Sequence, residues 1–297
     1  MRHVVGIDIG GTRIKALLVD ETGAVLAETI EPTGDDGTPG WKEHVRAAAA
    51  KAERMCGLKA DAYGVAAPGI AARDGLSISL MPGRLRGLEG HTWQDCFGSA
   101  LPVPVMNDAQ AALLGEIWLG AGHHSGNAIL LTLGTGVGGA VMLDGRLLHG
   151  HIGRAGHLGH VSLDPGGPLD IVGTPGSLED AIGNHSVARR TGGRFADTNA
   201  LVRAVEAGEP WAIEAWHTSV RALAAAIAGF INVLDPECVI LGGGISQVGP
   251  TLFDPLRQHL EQFEWRPDGH HVQILPASLG ERAGALGAAR AALDSIQ

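Results

Sequence analysis

VVGIDIGGTRIKALLVDETGAVLAE, residues 4–28, is the stretch from which the fold can be argued. It predicts an apolar strand over 4–9, a turn at Gly10 and Gly11, an alternating strand over 13–19, a second turn and a third strand. AILLTLGTGVGGAVMLDGRLLHG, residues 128–150, repeats this plan. Because the same unit of strands and turns occurs twice, the sequence predicts an internally duplicated α/β fold with two similar lobes.

Neither glycine turn fits a common nucleotide-binding loop. A dinucleotide-binding turn must open a helix, whereas a strand follows each turn here, and no Gly-Lys-Ser/Thr of a Walker loop is present. Taken singly, either turn is equally well an ordinary hairpin. The duplication makes that simpler interpretation less favourable.

The rest of the chain supplies helices between the strands. PVPVMNDAQAALLGEIWLG predicts a short strand ending at Asn107 and Asp108 and then a helix to about residue 119. Near the end we expect a helix, a strand over 238–241, a triple glycine and another helix. The last helix is rich in small residues and can pack closely against a neighbour. We therefore expect a small lobe of residues 1–118, joined by the C-terminal helix 281–297, and a large lobe of residues 119–280.

Composition narrows the classes of function. The formal net charge is −10, with no basic block, which argues against nucleic acid as a partner. Three widely separated cysteines favour a reducing compartment over a disulfide framework. The chain enters a strand at once, so we expect no signal peptide and no preceding DNA-binding domain. RALAAAIAGFINVL is too short to cross a membrane, so we interpret it as a buried helix of a cytoplasmic protein.

The two glycine turns predict phosphate binding. Asp8 ends the first strand beside the exposed N–H groups of Gly10, Gly11 and Thr12, and such a corner can hold a metal-bound phosphate. The second turn, with Gly134, Thr135 and Gly136, offers a similar cradle, so two facing cradles imply a nucleotide polyphosphate. Asp108 begins a helix and is either an N-cap or a general base.

These residues resemble the ROK family (repressors, open reading frames and sugar kinases) over nearly the whole chain. Four motifs occur in the family's order. They are the D-x-G-G-T-x-x-K phosphate motif from Asp8 to Lys15, the catalytic segment NDAQAALLGE, the second phosphate motif GTGVGG, and VILGGGIS beside the nucleoside, with Gly242, Gly243 and Gly244.

The resemblance implies a two-lobed actin/hexokinase-like (ribonuclease H-like) fold and transfer of the γ-phosphoryl group of ATP to a sugar hydroxyl. It implies Mg²⁺ with ATP near Asp8, and Asp108 as the acceptor of the hydroxyl proton. Gly69, Asn107, His160 and Glu179 are then substrate contacts. The family also suggests a homodimer.

Two departures from the family pattern concern the ligand sites. Family members hold zinc with a His and three Cys residues; here His160 is kept, but Asp170, Val172 and Ser177 stand at the cysteine positions. Val172 cannot ligate, so we expect no structural zinc and a hydrogen bond between His160 and Asp170 instead.

The second departure is in the sugar contacts. His157 stands where the family has a Glu that contacts the sugar, and Arg84 aligns with a sugar-contacting Asn. If both face the ligand, the pocket loses a negative charge and gains a guanidinium, which favours an acidic or carbonyl-bearing ligand over glucose. Alternatively, Arg84 points to solvent and the ligand is a neutral sugar.

Three rival functions stay open at the level of sequence. A non-catalytic carbohydrate-binding or regulatory protein would explain the altered sugar contacts, although Asp8, Asp108 and both glycine turns are retained. A transcriptional repressor of the same family would need a helix-turn-helix before the first strand. A polyphosphate donor could replace ATP, because both cradles recognise phosphates.

Overall fold

The computed structural model describes residues 1–296, and the chain divides into two compact units. Unit 1 contains Met1–His124, Leu147–Ala155 and the C-terminal segment from Ser278. Unit 2 contains Ser125–Arg146 and Gly156–Ala277. The last residue of the predicted helix 281–297 lies outside the described residues.

The strands, in chain order, are β1 (His3–Ile9), β2 (Arg13–Asp20), β3 (Val25–Pro32), β4 (Ala62–Ala67), β5 (Ile70–Ala71), β6 (Ile78–Leu80), β7 (Val105–Asn107), β8 (Ala128–Leu133), β9 (Val137–Leu143), β10 (Arg146–Leu147), β11 (Cys238–Gly242) and β12 (Gln273–Pro276). The helices are α1 (Trp41–Cys56), α2 (Gln94–Phe97), α3 (Asp108–Leu119), α4 (Leu178–Ile182), α5 (Val187–Arg190), α6 (Thr198–Glu206), α7 (Pro210–Leu234), α8 (Pro250–Phe263) and α9 (Ala283–Asp294).

The predicted duplication is confirmed by the order of the strands. The first sheet runs β3-β2-β1-β4-β7 and the second runs β10-β9-β8-β11-β12. In each sheet, the first two strands form an antiparallel hairpin and the third strand lies beside the second. Two later strands add in parallel on the side of the first strand. The carboxyl ends of the parallel strands therefore lie at one edge, where ligands bind in open α/β sheets.

The sheet of unit 1 is buried on both faces, which is why β1 is almost continuously apolar. One face, with Val5 and Ile7, packs in a core with Trp41 of α1. The other face, with Val4, packs against alanines and leucines of α9.

Helix α9 approaches its neighbours closely because glycines line the contacts. A β-carbon at Gly6 of β1 or Gly64 of β4 would overlap carbonyl oxygens of α9, and one at Gly287 would overlap the carbonyl oxygen of Ala111 in α3. The expectation that the small residues of the last helix serve close packing is confirmed. The close contact fixes α9 between the sheet and α3.

Helix α7 is longer than the apolar stretch predicted from sequence. It has 25 residues, begins with Pro210 at its first turn, and among residues 1–296 is the one helix long and apolar enough to cross a membrane. The sequence led us to expect a segment too short to cross a membrane. That expectation was wrong about the length, because the helix starts well before Arg221. Trp216, Leu223 and Ile227 are completely buried on its packed face.

Candidate active site

The first glycine turn lies at the end of β1 in unit 1. The N–H of Gly10 donates to the carbonyl of Arg13 at 2.9 Å, and the Thr33 hydroxyl donates to the carbonyl of Gly10 at 2.7 Å. These bonds fix the turn between β1 and β2. A cavity of about 260 Å³ beside it is lined by Asp8, Gly10, Thr12, Arg13, Lys15, Ile30 and Glu281.

The Asp8 carboxyl group lies in a constrained environment. Burial and the neighbouring Asp108 carboxylate raise the pKa of Asp8 to about 7, against the lowering effect of Lys15. A β-carbon at Gly284 of α9 would lie 2.7 Å from a carboxyl oxygen of Asp8. Because Gly284 has no side chain, there is room for this carboxyl group. A cation bound beside it would stabilise its ionised form.

Lys15 lies directly opposite Asp8 in the β1–β2 register. Its ammonium nitrogen is 3.3 Å from Glu281 and 3.7 Å from Glu28, and Arg13 is 3.7 Å from Glu281. The positive charges on β2 are therefore already matched by carboxylates.

Asn107 and Asp108 lie where β7 passes into α3. Asn107 is the N-cap of α3: its side-chain oxygen accepts from the N–H groups of Ala109 and Gln110, and Gln110 completes a capping box. The hypothesis that Asp108 itself is the N-cap was wrong, because Asp108 is the first residue of the helix. Its carboxylate is exposed and accepts from the N–H of Ala109 at 2.8 Å.

Gly69 and Arg84 also lie in unit 1. The Asn107 amide donates to the carbonyl of Gly69 at 2.8 Å, and Gly69 has a φ of +105°, a conformation that favours glycine. The Arg84 guanidinium lies against Gly11, since a β-carbon at Gly11 would be 2.8 Å from Cζ of Arg84 and would overlap Nη2. Unit 1 thus places Gly69 beside Asn107, and Arg84 beside the first glycine turn.

The second glycine turn lies in unit 2 between β8 and β9. The carbonyls of Gly134 and Thr135 accept from the N–H groups of Asn184 and His185 at 2.9 and 3.0 Å. Glu179 of α4 accepts from the N–H of Val137 at 3.0 Å, and a β-carbon at Gly136 would overlap its carboxylate. The other oxygen of Glu179 is buried and has no hydrogen-bond partner, so it can accept from a ligand hydroxyl.

The triple glycine packs beside this turn. Gly243 follows β11 with a φ of +84°, and a β-carbon there would lie 2.7 Å from the carbonyl carbon of Leu133. Ser246 donates to the carbonyl of Gly243 through its hydroxyl at 2.8 Å. Gly242, Gly243 and Gly244 therefore adjoin the second glycine turn within unit 2.

The predicted hydrogen bond between His160 and Asp170 is confirmed. Nδ1 of His160 lies 2.8 Å from Oδ2 of Asp170, whose other oxygen accepts from Val172 and Thr174 N–H groups. Although burial acts to raise the pKa of Asp170, these hydrogen bonds lower it, so the carboxylate is ionised. Nδ1 of His160 therefore donates to this carboxylate, which fixes the orientation of the ring.

Three possible metal ligands come together in this part of unit 2. Donor atoms of His160, Asp170 and Glu179 lie within 4.8 Å of one another. Val172 is exposed and offers no donor. His157 lies at the start of the short helical turn that contains His160.

Two residues of this region were not predicted from sequence. Glu281 pairs with Lys15, and no local motif indicates that pairing. Gly284 contacts the Asp8 carboxyl group, and the small-residue pattern of α9 could have indicated a close contact there, though not its partner.

Three comparisons with known proteins bear on this geometry. The family model described as "ROK family" matches residues 4–295. A glucokinase of Thermotoga maritima is 34% identical over 96% of both chains, and an N-acetylmannosamine kinase of Escherichia fergusonii is 33% identical, again over 96% of both.

Solved structures agree with the sequence relatives. A ROK hexokinase from Thermus thermophilus superposes with a TM-score of 0.85 and 32% identity, covering 99% of each chain. A ROK family glucokinase from Streptomyces griseus, solved with glucose and AMPPNP, gives a TM-score of 0.79 and 30% identity over 98% of this chain and 99% of that chain. The predicted actin/hexokinase-like fold is thereby confirmed, and the chain belongs to the ROK family.

Proposed function

We propose that this protein transfers the γ-phosphoryl group of ATP to a hydroxyl group of a sugar, with Asp108 as the general base. The observation that carries this proposal is in unit 1, where the Asp108 carboxylate acts electrostatically on Asp8, which lies beside a glycine turn. Full-length relatives named glucokinase and N-acetylmannosamine kinase support the reaction class. A purely regulatory role is not favoured.

The exposed carboxylate of Asp108 suits proton transfer. In the proposed reaction it accepts the proton of the sugar hydroxyl while that oxygen bonds to the γ-phosphorus. The bond between this phosphorus and the β-γ bridging oxygen breaks, and ADP leaves with the electron pair. The N–H of Ala109 holds one oxygen of Asp108 and so restricts the orientation of the base.

Asp8 would hold Mg²⁺ at the first glycine turn. A carboxyl group whose pKa is raised to about 7 by burial and by a second carboxylate is the kind of donor that a divalent cation stabilises in its ionised form. The ion would supply charge neutralisation for the phosphates. Gly11 and Thr12 would contribute N–H groups to the phosphates, while the N–H of Gly10 stays within the turn through its bond to Arg13, and Lys15 would keep the turn anchored.

We propose that unit 2 binds the nucleotide through its glycines. The N–H of Gly134 donates to the carbonyl of Gly136 within the turn, so Thr135 and Gly136 would offer their N–H groups, and Thr135 its exposed hydroxyl, to the phosphates. Gly242–Gly244 leaves room for the nucleoside. Polyphosphate is the alternative donor, since it presents the same phosphate chemistry without a nucleoside.

Glu179, Asn107, Gly69, His157 and His160 are proposed as the sugar contacts. The unpartnered oxygen of Glu179 accepts a hydroxyl hydrogen, and Nε2 of His160 can form a hydrogen bond with a second hydroxyl. Because imidazole at position 157 replaces a carboxylate, glucose should be a poor substrate relative to an acceptor-rich sugar such as a sugar acid.

A coupled ADP-release assay across neutral, amino and acidic sugars, with ATP or polyphosphate as donor, tests this proposal. Turnover of at least one free sugar is expected, and His157→Glu should shift the ratio of kcat/KM toward glucose. His151→Glu, a change at a neighbouring exposed histidine, is the matched control. Absence of turnover with every sugar would refute the proposed kinase activity. If the wild type prefers glucose and His157→Glu leaves that preference unchanged, His157 does not determine the sugar specificity.

Three finer properties belong to the same proposal. Mg²⁺ dependence agrees with the chemistry of Asp8. A homodimer agrees with the family resemblance, and a cytoplasmic location agrees with the cysteine pattern. Chelation with and without added Mg²⁺ tests the first, and sedimentation equilibrium tests the second.

A further inference from the structure

We infer that Arg84 is a catalytic residue whose guanidinium stabilises the phosphoryl group during its transfer, rather than a contact to the sugar alone. The inference rests on the proposed kinase function. It starts from the position of the guanidinium on the first glycine turn, where a β-carbon at Gly11 would lie 2.8 Å from Cζ and 2.9 Å from Nη1 of Arg84. The guanidinium therefore lies directly against the backbone of this turn.

The backbone around Arg84 is held firmly. The next residue, Leu85, is 1% exposed and adopts a φ of +48°, and its N–H donates to Oδ2 of Asp35 at 3.1 Å. A non-glycine residue in this conformation persists only where surrounding contacts enforce it. Leu88, also buried, anchors the other end of the segment. Arg84 therefore projects from a fixed base and not from a loose loop.

The charge of Arg84 is only weakly matched within unit 1. Its Nε lies 4.0 Å from Asp35, at the limit of an ion pair, and half of the side chain is exposed. By contrast, Lys15 has carboxylates at 3.3 and 3.7 Å. Unlike Lys15, Arg84 thus keeps donor groups that can hydrogen-bond to a ligand.

The reaction needs such a cation. As the sugar oxygen bonds to phosphorus and the bond to the ADP oxygen breaks, negative charge accumulates on the transferred group and the leaving oxygen. Asp8 and Asp108 add negative charge to the same region. A planar guanidinium can donate two N–H groups to phosphoryl oxygens, which a lysine ammonium cannot do with the same geometry.

The test compares Arg84→Gln and Arg84→Lys with wild type, using Arg86→Gln as the matched control. Arg86 is exposed and lies two residues away, and its carbonyl, which accepts from Trp41, is retained in the variant. We expect Arg84→Gln to lower kcat by about 100-fold or more with every sugar that is turned over, with KM for the sugar changed less than about threefold. Arg84→Lys should recover part of kcat, and Arg86→Gln should match wild type.

A binding measurement separates this role from a structural one. ADP with Mg²⁺ and aluminium fluoride mimics the transferred phosphoryl group, and its affinity can be measured by displacement of a fluorescent ADP analogue. Arg84→Gln should weaken that complex by a factor similar to the loss in kcat, while binding of ADP alone changes less than about threefold.

Several outcomes overturn the inference. They are an unchanged kcat in Arg84→Gln, a loss confined to KM for acidic sugars, or equal weakening of ADP and of the aluminium fluoride complex. If the wild type turns over no sugar, the proposed function fails, but the binding measurement still decides whether Arg84 recognises a phosphoryl group.

Discussion

At the scale of single residues, Asp108 combines an exposed carboxylate with a fixed backbone. Asn107 caps α3 and so relieves Asp108 of a capping role. We expect Asp108→Asn to keep the fold and nucleotide affinity but to lower kcat by roughly 100-fold or more, because an amide cannot accept the hydroxyl proton. Steady-state kinetics and ADP titration measure both quantities.

The control for Asp108→Asn is Asp144→Asn, at an exposed turn in the hairpin of β9 and β10. It should retain wild-type kcat. Full activity in Asp108→Asn would exclude Asp108 as the base, whereas loss of ADP binding would indicate a structural effect.

At the scale of elements, the loop from Val161 to Ser177 is organised by one buried carboxylate. Asp170 accepts hydrogen bonds from His160, Val172 and Thr174, and its side chain is completely buried. Asp170→Ala leaves these donors unpaired, so we expect a loss of about 1 to 3 kcal/mol of unfolding free energy and a higher KM for the sugar. Denaturant unfolding and kinetics measure both effects.

Asp164→Ala is the matched control, because Asp164 is exposed and its side chain accepts a local hydrogen bond from the N–H of Gly166 in the same loop. Its cost should stay below about 0.5 kcal/mol. An equal loss in both variants would show that Asp170 has no special part in the loop.

The metal content of the same loop is a separate prediction. Structural zinc takes four strong ligands, whereas His160, Asp170 and Glu179 are three, and Nδ1 of His160 is engaged by Asp170. Elemental analysis of protein purified without chelators should find far less than one zinc per chain. Stoichiometric zinc that survives chelation would contradict this prediction.

At the scale of the whole molecule, the pKa of Asp8 links global stability to pH. The folded chain holds the Asp8 proton up to about pH 7, whereas the ordinary value is 3.8. The contribution of Asp8 to the unfolding free energy therefore falls as pH rises from about 4 to about 7 and is constant above that. At about 1.4 kcal/mol for each pH unit between the two pKa values, the loss is at most about 4 kcal/mol.

Asp8→Asn removes this loss. Its melting temperature, measured without Mg²⁺, should exceed that of wild type at pH 8, and the difference between the two proteins should be smaller at pH 5. The variant should also lose turnover, because an amide is a poor ligand for Mg²⁺. A difference that is the same at both pH values would show that Asp8 does not titrate in this range.

The sequence by itself determined the duplicated strand plan, because strand periodicity and glycine turns are local properties that the chain repeats at residues 4–28 and 128–150. With the family resemblance, it also indicated the His160–Asp170 pair, because both residues stand at positions where family members hold zinc. These predictions needed few long-range contacts.

Only the tertiary structure decided which distant residues meet. The contacts of Gly284 with Asp8, of Glu281 with Lys15 and of Arg84 with Gly11 join segments far apart in the chain. Sequence periodicity records which face of an element is buried, but not the partner that covers it. The environment that raises the pKa of Asp8, and the placement of Arg84 on the first glycine turn, arise from packing and therefore could not be predicted from local pattern.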